Sequence, residues 1–201
     1  MKKFLFSILI GMPFLAYSQL GVKAGPNFAN ITHAKEIKAG TRTGYHAGIF
    51  YGSSKGLLSS RTELLYSHQG YDFSTMTNTG VVNLDYLLLP QFLAINITPL
   101  FQIQLGGQIA YLINAEVDST SSTGNNSADK IINLMNRIDY GLGGGVEVHT
   151  IKMLVIGARV NIGMGKIFKV PEDGKEYSFI PDIDTKSNLF QLYAGIRFGA
   201  D

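Results

Sequence analysis

The chain has 201 residues, with 17 basic and 15 acidic side chains and no cysteine. Without cysteine there are no disulfides, thiolate metal sites or cysteine nucleophiles. The near-neutral charge gives no basic surface for nucleic acid, so no nucleic-acid partner is expected, and the length fits one domain.

The amino-terminal segment has the layout of a secretion signal. A basic start is followed by an apolar run over 4–15 and by a small-x-small cleavage site that ends at Ser18. The apolar run is too short for a membrane-spanning helix, although a retained helical anchor is an alternative. The sequence therefore predicts a cleaved signal peptide over 1–18 and a single mature domain over 19–201.

The mature sequence alternates between apolar and polar residues with the period of a β-strand. This alternation predicts eight strands, over residues 20–28, 43–51, 57–69, 81–93, 100–117, 137–149, 153–163 and 190–198. The connections are alternately short and long, and the long ones are 29–42, 70–80, 118–136 and 164–188. Outer-membrane barrels show this asymmetry, with tight periplasmic turns and longer extracellular loops. We therefore predict an all-β fold, an eight-stranded antiparallel up-and-down transmembrane β-barrel in the outer membrane of a Gram-negative cell.

Two orientations of the strand faces are compatible with this alternation. A lipocalin-like secreted barrel would place the apolar face inside, and a membrane barrel would place it outside. Glycines decide between them, because they share a face with the arginines, glutamates and glutamines: Gly21, Gly25, Gly44, Gly48, Gly106, Gly141, Gly143, Gly145, Gly157, Gly163 and Gly195. On a solvent face they would weaken the strands, whereas in the narrow lumen of eight strands they make room for long polar neighbours. We therefore predict that the apolar face lies in lipid.

The fourth predicted strand is the least regular of the eight. We predict that Tyr86 and Leu88 face lipid there, with Tyr86 in an aromatic girdle near the strand end. Asn83 and Asp85 are then expected in the lumen. Leucines on the same face as these two residues blur the polar side of the strand.

Nine charged side chains point into the lumen in this orientation: Lys23, Arg61, Glu63, Asp85, Arg137, Asp139, Glu147, Arg159 and Arg197. Their signs nearly balance. Charges in a confined interior must pair or form hydrogen bonds, because an isolated buried ion is costly. We therefore predict a plug of salt bridges. A charge-lined conduction path is the alternative, but it needs a wider lumen than eight strands normally leave.

Four segments of the chain resemble one known family. They are Ser18-Gln19 at the end of the export signal, Gly21-Val22-Lys23-Ala24-Gly25-Pro26-Asn27, Tyr86-Leu87-Leu88-Leu89-Pro90 and Tyr193-Ala194-Gly195-Ile196-Arg197-Phe198. Together they resemble the PorT-like outer-membrane β-barrel family of Bacteroidetes over the whole mature chain. The resemblance implies the fold and the location. The family name belongs to a component that supports protein secretion in some of these bacteria, and that role is not transferred to this chain.

The expected function is structural or interactive. We expect a monomer that contacts outer-membrane lipid, binds a protein partner through its extracellular loops or periplasmic turns, and uses no cofactor. A narrow porin-like channel and a lipid A-modifying enzyme are the alternatives. Asp118-Ser119-Thr120 resembles the short O-glycosylation sequon of Bacteroidetes, which predicts a glycan on Ser119.

The sequence gives little support for a hydrolytic enzyme or for a metal site. An enzyme of this kind needs a serine, a histidine and a carboxylate within hydrogen-bond reach. His46 and Glu63 share a face with Ser59 and Ser67, but the spacing is not specific, and we expect no catalytic site. The remaining histidines are too dispersed to predict a metal site.

Overall fold

The computed structural model describes residues 19–32, 40–52, 56–74, 79–119, 135–150, 153–169 and 186–198. It has eight strands: β1 (Gln19–Thr32), β2 (Gly40–Gly52), β3 (Leu58–Ser74), β4 (Thr79–Thr98), β5 (Phe101–Ser119), β6 (Ile138–His149), β7 (Leu154–Gly163) and β8 (Lys186–Arg197). Each strand pairs antiparallel with the next, and β8 pairs with β1, so the sheet closes into a barrel. The predicted fold class is confirmed.

Several sequence predictions concern residues outside the described ranges. The predicted signal peptide over 1–18 lies outside them and stays a prediction. Ser119 is the last residue of β5, its side chain and Thr120 lie outside the described part, and glycosylation there stays a prediction. Among the described residues, no helix is long and apolar enough to cross a membrane.

Three strands are much longer than a membrane requires. β3, β4 and β5 have 17, 20 and 19 residues, against about 9 to 11 for a transmembrane strand. The predicted long connection over 70–80 is wrong, because Gly70 to Ser74 pair with Asn83 to Thr79 and leave only 75–78 between the strands. This extended pairing satisfies the backbone N–H and C=O groups of both segments. β3, β4 and β5 therefore form a projecting wall at the end of the barrel opposite its short turns.

The predicted orientation of the apolar face holds for the other strands. On β5, for example, Leu105 is 57% exposed whereas Gln104 is fully buried. The inward glycines make room for neighbouring side chains. A Cβ added to Gly157 would lie 2.3 Å from the ring of Tyr193, and one added to Gly21 would lie 2.3 Å from the ring of Phe50. The lumen is therefore filled by side chains that fit only beside glycine.

The predicted orientation of β4 is wrong. Tyr86 and Leu88 are buried in the interior, while Leu87 and Leu89 are exposed on the outside. Both faces of β4 are apolar in this stretch, so alternation does not determine its phase. Pairing with β3 determines the phase of β4, because residues opposite each other on paired strands point to the same face. Arg61 on β3 lies opposite Phe92, and both are buried in the lumen.

Candidate functional site: the barrel interior

A buried charge layer occupies the half of the lumen near the short turns, and Glu63 on β3 is its centre. The Oε2 atom of Glu63 lies 2.7 Å from the Nζ of Lys23 and 2.7 Å from Nη1 of Arg159. Arg159 also donates from Nη2 to Oε1 of Glu63 at 2.9 Å, and Nε of Arg61 lies 3.5 Å from the same oxygen. All four side chains are buried. One carboxylate therefore joins cations from β1, β3 and β7.

Glu147 on β6 is the second anion of the charge layer. It accepts hydrogen bonds from Arg61, from the hydroxyl of Tyr193 at 3.0 Å and from the amide of Gln104 at 3.3 Å. His149 lies 2.7 Å away, at the short-turn end. Gln104 also accepts a 2.7 Å hydrogen bond from Arg159, which links the two anionic centres. The layer is thus one connected network.

Aromatic rings support the cations of the charge layer. The guanidinium of Arg61 lies 4.1 Å from the ring centre of Phe50, and that of Arg159 lies 4.1 Å from Phe92. The ammonium of Lys23 lies 4.0 Å from the ring of Tyr193. The negative face of an aromatic ring attracts a cation, and more strongly when water is excluded. The inward phase of β4 is what places Phe92 beneath Arg159.

Six of the nine predicted lumen charges belong to this layer, including Arg197, whose Nη1 lies 3.4 Å from Nδ1 of His149, and three do not. Arg137 is exposed and precedes β6, while Asp139 is half-buried nearer the long loops. Asp85 lies on the outer face of β4, where it accepts hydrogen bonds from Tyr66 at 2.8 Å and pairs with His68 at 2.7 Å. Among the described residues the layer therefore holds four cations and two carboxylates, and Asp139 adds a third carboxylate to the lumen outside the layer.

Neutral polar side chains fill the middle of the lumen. The Oδ1 atom of Asn27 lies 2.6 Å from Nδ1 of His46 and accepts a 3.2 Å hydrogen bond from Gln191. The amide nitrogen of Asn27 donates to Ser67 Oγ at 2.8 Å. Because the Asn27 amide separates His46 from Ser67, the two are not arranged as a nucleophile and its base. The structure does not bring together the serine, histidine and carboxylate considered from the sequence.

An apolar layer, which the sequence analysis missed, fills the interior beside the projecting wall. Met135, Ile167 and Phe168 pack in one cluster with inward residues of β3, β4 and β5, among them Tyr86 and Leu112. Met135 and Phe168 form a β-bridge, and the backbone N–H of Asn136 donates to the carbonyl of Ile167 at 2.9 Å. Neither segment shows strand periodicity in the sequence. Their local apolar character was the available signal.

In the described part of the chain, no group of three or more His, Asp or Glu side chains could hold a metal ion.

A comparison with known families agrees with the barrel fold. The profile of the family described as Outer membrane protein beta-barrel domain matches residues 10–169. The chain belongs to this family. Membership places the protein among the small eight-stranded barrels of the outer membrane. No curated protein sequence matches the chain at a significant level.

A solved outer-membrane barrel shares the fold of this chain. Ail, the attachment invasion locus protein of Yersinia pestis, has a TM-score of 0.50 and 14% identity, over 90% of this chain and 99% of that chain. Ail has also been solved in complex with the heparin analogue sucrose octasulfate. OprG of Pseudomonas aeruginosa has a TM-score of 0.48 and 11% identity, over 90% of this chain and 96% of that chain. At these identities the likeness concerns the fold alone.

Proposed function

We propose that this protein is a closed barrel with a structural or interaction role, and neither a channel nor an enzyme. The proposal rests on the filling of the lumen by side chains. The charge layer crosses it from β3 to β7, amide side chains occupy its middle, and the apolar layer packs beside the projecting wall. Eight strands leave an interior that side chains can fill, and these layers support the proposal that the lumen is closed.

The contact surface in this proposal is the long-loop end. β3 and β4 extend there well past the membrane thickness, and their outward face carries polar residues such as Asp72, which pairs with Arg42 at 3.6 Å. Rigid strands position a binding surface more precisely than loops alone.

We also propose that the protein is a PorT-like barrel of Bacteroidetes and acts as a monomer with a protein partner.

Planar-bilayer recording tests whether the lumen is closed. The purified wild-type protein should show no steady conductance, because its central ion pairs span the lumen. Arg159→Ala should produce transient openings, whereas Leu105→Ala on the lipid-facing side should stay silent. Stable, ion-selective steps from the wild-type protein would overturn the proposal and favour the porin-like channel.

Crosslinking in native membranes tests the interaction role. A photo-reactive residue in place of Asp72 should give one discrete adduct with another protein. The same protein should co-purify with the unmodified barrel. The same residue in place of Leu105 should crosslink only to lipid. If neither adduct contains protein, the interaction role fails. Altered lipid A after gene deletion would instead favour the lipid-modifying enzyme.

A further inference from the structure

The outer face of β3 is polar over much of its length, including the part that lies in the bilayer. The outward residues of β7, on the opposite side of the barrel, are apolar: Leu154, Ile156, Ala158, Val160 and Ile162. The outward residues of β3 include five polar side chains: Ser60, Thr62, Tyr66, His68 and Asp72. On β4, Gln91 lies opposite Thr62 and points the same way, and so does Asp85 opposite His68. We call these seven polar residues the β3 stripe.

The centre of the β3 stripe lies near the middle of the bilayer. Gln91 is exposed on the outer face and pairs with Gly107, the outward residue that follows Leu105 on β5. Leu105 lies about midway between the short turn and Tyr111. Exposed apolar side chains surround Gln91 on this face: Leu64, Leu89, Leu93, Leu105 and Ile109. Gln91 is thus a polar side chain inside the apolar band.

The amide nitrogen of Gln91 lacks a hydrogen-bond acceptor in this setting. The hydroxyl of Thr62 donates to Oε1 of Gln91 at 2.7 Å. The segments of β3, β4 and β5 around the pair belong to the described part of the chain, and none of their atoms accepts a hydrogen bond from the amide nitrogen. The hydrocarbon core holds no water to accept one, and an unpaired amide is costly there. Gln91 therefore points to an acceptor outside this chain at the same depth.

The depth of Gln91 identifies the kind of partner. The polar groups of a lipid lie at the membrane surface, outside a hydrocarbon core of about 30 Å, so a lipid does not bring an acceptor to the midplane. A membrane-spanning protein does. Between spanning helices, Ser, Thr, Asn and Gln side chains form such hydrogen bonds across the contact. The same chemistry on a barrel surface indicates an integral membrane protein as the partner.

A different protein fits the β3 stripe better than a second copy of this chain. Beyond the apolar band the stripe carries the carboxylates of Asp85 and Asp72, and Asp72 is exposed although Arg42 lies 3.6 Å away. In a two-fold contact the same surface of both copies meets, so these carboxylates would face each other. Like charges opposite each other across an interface are unfavourable. The stripe therefore fits a partner with hydrogen-bond donors at this level.

We propose that the β3 stripe is a lateral contact with a different integral membrane protein, which supplies a hydrogen-bond acceptor to Gln91 and donors to Asp72. The inference rests on the proposed interaction role, and it extends the contact surface from the long-loop end into the bilayer. Leu105 on β5 is two strands from β3, a quarter turn around the barrel, and stays in lipid. Thr62 and Gln91 then stabilise the contact and not the barrel itself.

Urea unfolding of the purified mature protein in lipid vesicles tests whether the pair serves the barrel. Thr62→Val together with Gln91→Leu removes both polar groups, and the unfolding midpoint should rise because no amide is left in hydrocarbon. Gln104→Leu, the same change in the lumen, should lower the midpoint, since it breaks the hydrogen bonds with Arg159 and Glu147. An unchanged or lower midpoint for the double variant would show that the pair supports the barrel, and would overturn the proposal.

Photo-crosslinking in native membranes tests the contact itself. A photo-reactive residue in place of Leu64, next to Thr62 on the outer face, should give an adduct with an integral membrane protein. The crosslinked site should map to a membrane-spanning segment of that protein, and position 72 should capture the same protein. The adduct should be lost when Thr62→Val and Gln91→Leu are added. The same residue in place of Ile156 on β7, which is similarly exposed, should crosslink to lipid only.

Three other results at position 64 would each overturn the proposal. An adduct of twice the mass of this chain would identify a second copy as the occupant. A lipid adduct alone would mean that no protein lies against the stripe. A protein adduct that persists in the double variant would be a crowding contact that does not depend on the polar pair. If position 72 captures a protein while position 64 captures only lipid, the interaction role stands and the lateral contact fails.

Discussion

Arg159 on β7 reaches across the barrel to Glu63 on β3, and its two terminal nitrogens donate to both carboxylate oxygens at 2.7 and 2.9 Å. In a ring of eight strands, β3 and β7 lie on opposite sides, so this ion pair spans the full lumen. Bidentate pairing fixes the geometry of both side chains. The same carboxylate holds Lys23, so Glu63 is the residue on which the charge layer depends most.

Glu63→Gln should be the most destabilising single change in the charge layer. It leaves Lys23 and Arg159 buried beside a neutral amide, while Arg61 keeps Glu147 as its partner, and an uncompensated buried charge costs about 3 to 5 kcal/mol. Urea unfolding of the protein refolded into lipid vesicles measures this loss.

Arg159→Met is the matched comparison. It removes one cation with little change in volume, and Glu63 keeps Lys23 and Arg61 as partners. We therefore expect a smaller loss of stability than for Glu63→Gln. The reverse order would show that Arg159, and not Glu63, is the centre of the network.

The closed barrel could be predicted from the sequence because most strands have one polar and one apolar face. β7 is the clearest case, since Gly157, Arg159 and Asn161 alternate with residues that face lipid. β4 could not be oriented this way, because Tyr86, Leu87, Leu88 and Leu89 are apolar on both faces. The orientation of β4 is fixed by its pairing register with β3. That register cannot be read from the residues of β4 alone.

The candidate site could be predicted only in part. The inward position of seven of the nine charges followed from strand phase, but their partners did not, because Glu63 meets cations that are distant in sequence. The sequence predicts an inward Arg137 because the alternation begins the sixth strand at residue 137. The strand in the structure begins at Ile138, so Arg137 lies outside it. The segments around Met135 and Phe168 are locally apolar but have no strand periodicity, so alternation alone does not predict their packing inside the barrel.

A second prediction concerns the lipid-facing surface. Leu105 lies midway along the part of β5 between Phe101 at the short turn and Tyr111, and it is 57% exposed. Leu105→Arg should therefore cost about 2 to 4 kcal/mol, as expected for a cation near the bilayer midplane. Tyr111→Arg, nearer the interface, should cost at most about 1 kcal/mol. Unfolding in vesicles measures both, and equal costs would contradict the inferred depth of β5.

A third prediction tests the orientation of β4 directly. The chain has no tryptophan, so a single introduced tryptophan gives an unambiguous fluorescence signal. Leu87→Trp should be quenched by brominated lipid, because residue 87 is on the outer face. Tyr86→Trp, one residue away, should be protected in the interior. Stronger quenching at position 86 would restore the orientation expected from the sequence.

The last prediction concerns the space that an inward glycine leaves for Tyr193. In Gly157→Ala the new Cβ would lie 2.3 Å from the ring of Tyr193 and 2.4 Å from its hydroxyl oxygen. The ring must move, and its hydrogen bond to Glu147 and its contact with Lys23 would weaken. Overpacking of this kind costs about 1 to 3 kcal/mol, which urea unfolding in vesicles would detect.

Two comparisons separate this steric effect from a general effect of alanine in a strand. Gly107→Ala faces outward, where the nearest atom is the backbone oxygen of Gly141 at 3.2 Å, and should cost less than Gly157→Ala. In a Tyr193→Leu background the cost of Gly157→Ala should fall, because the ring that the Cβ meets is gone. Contacting residues typically couple by about 0.5 to 3 kcal/mol. An unchanged cost in that background would mean that Gly157 is needed for its backbone and not for the space it leaves to Tyr193.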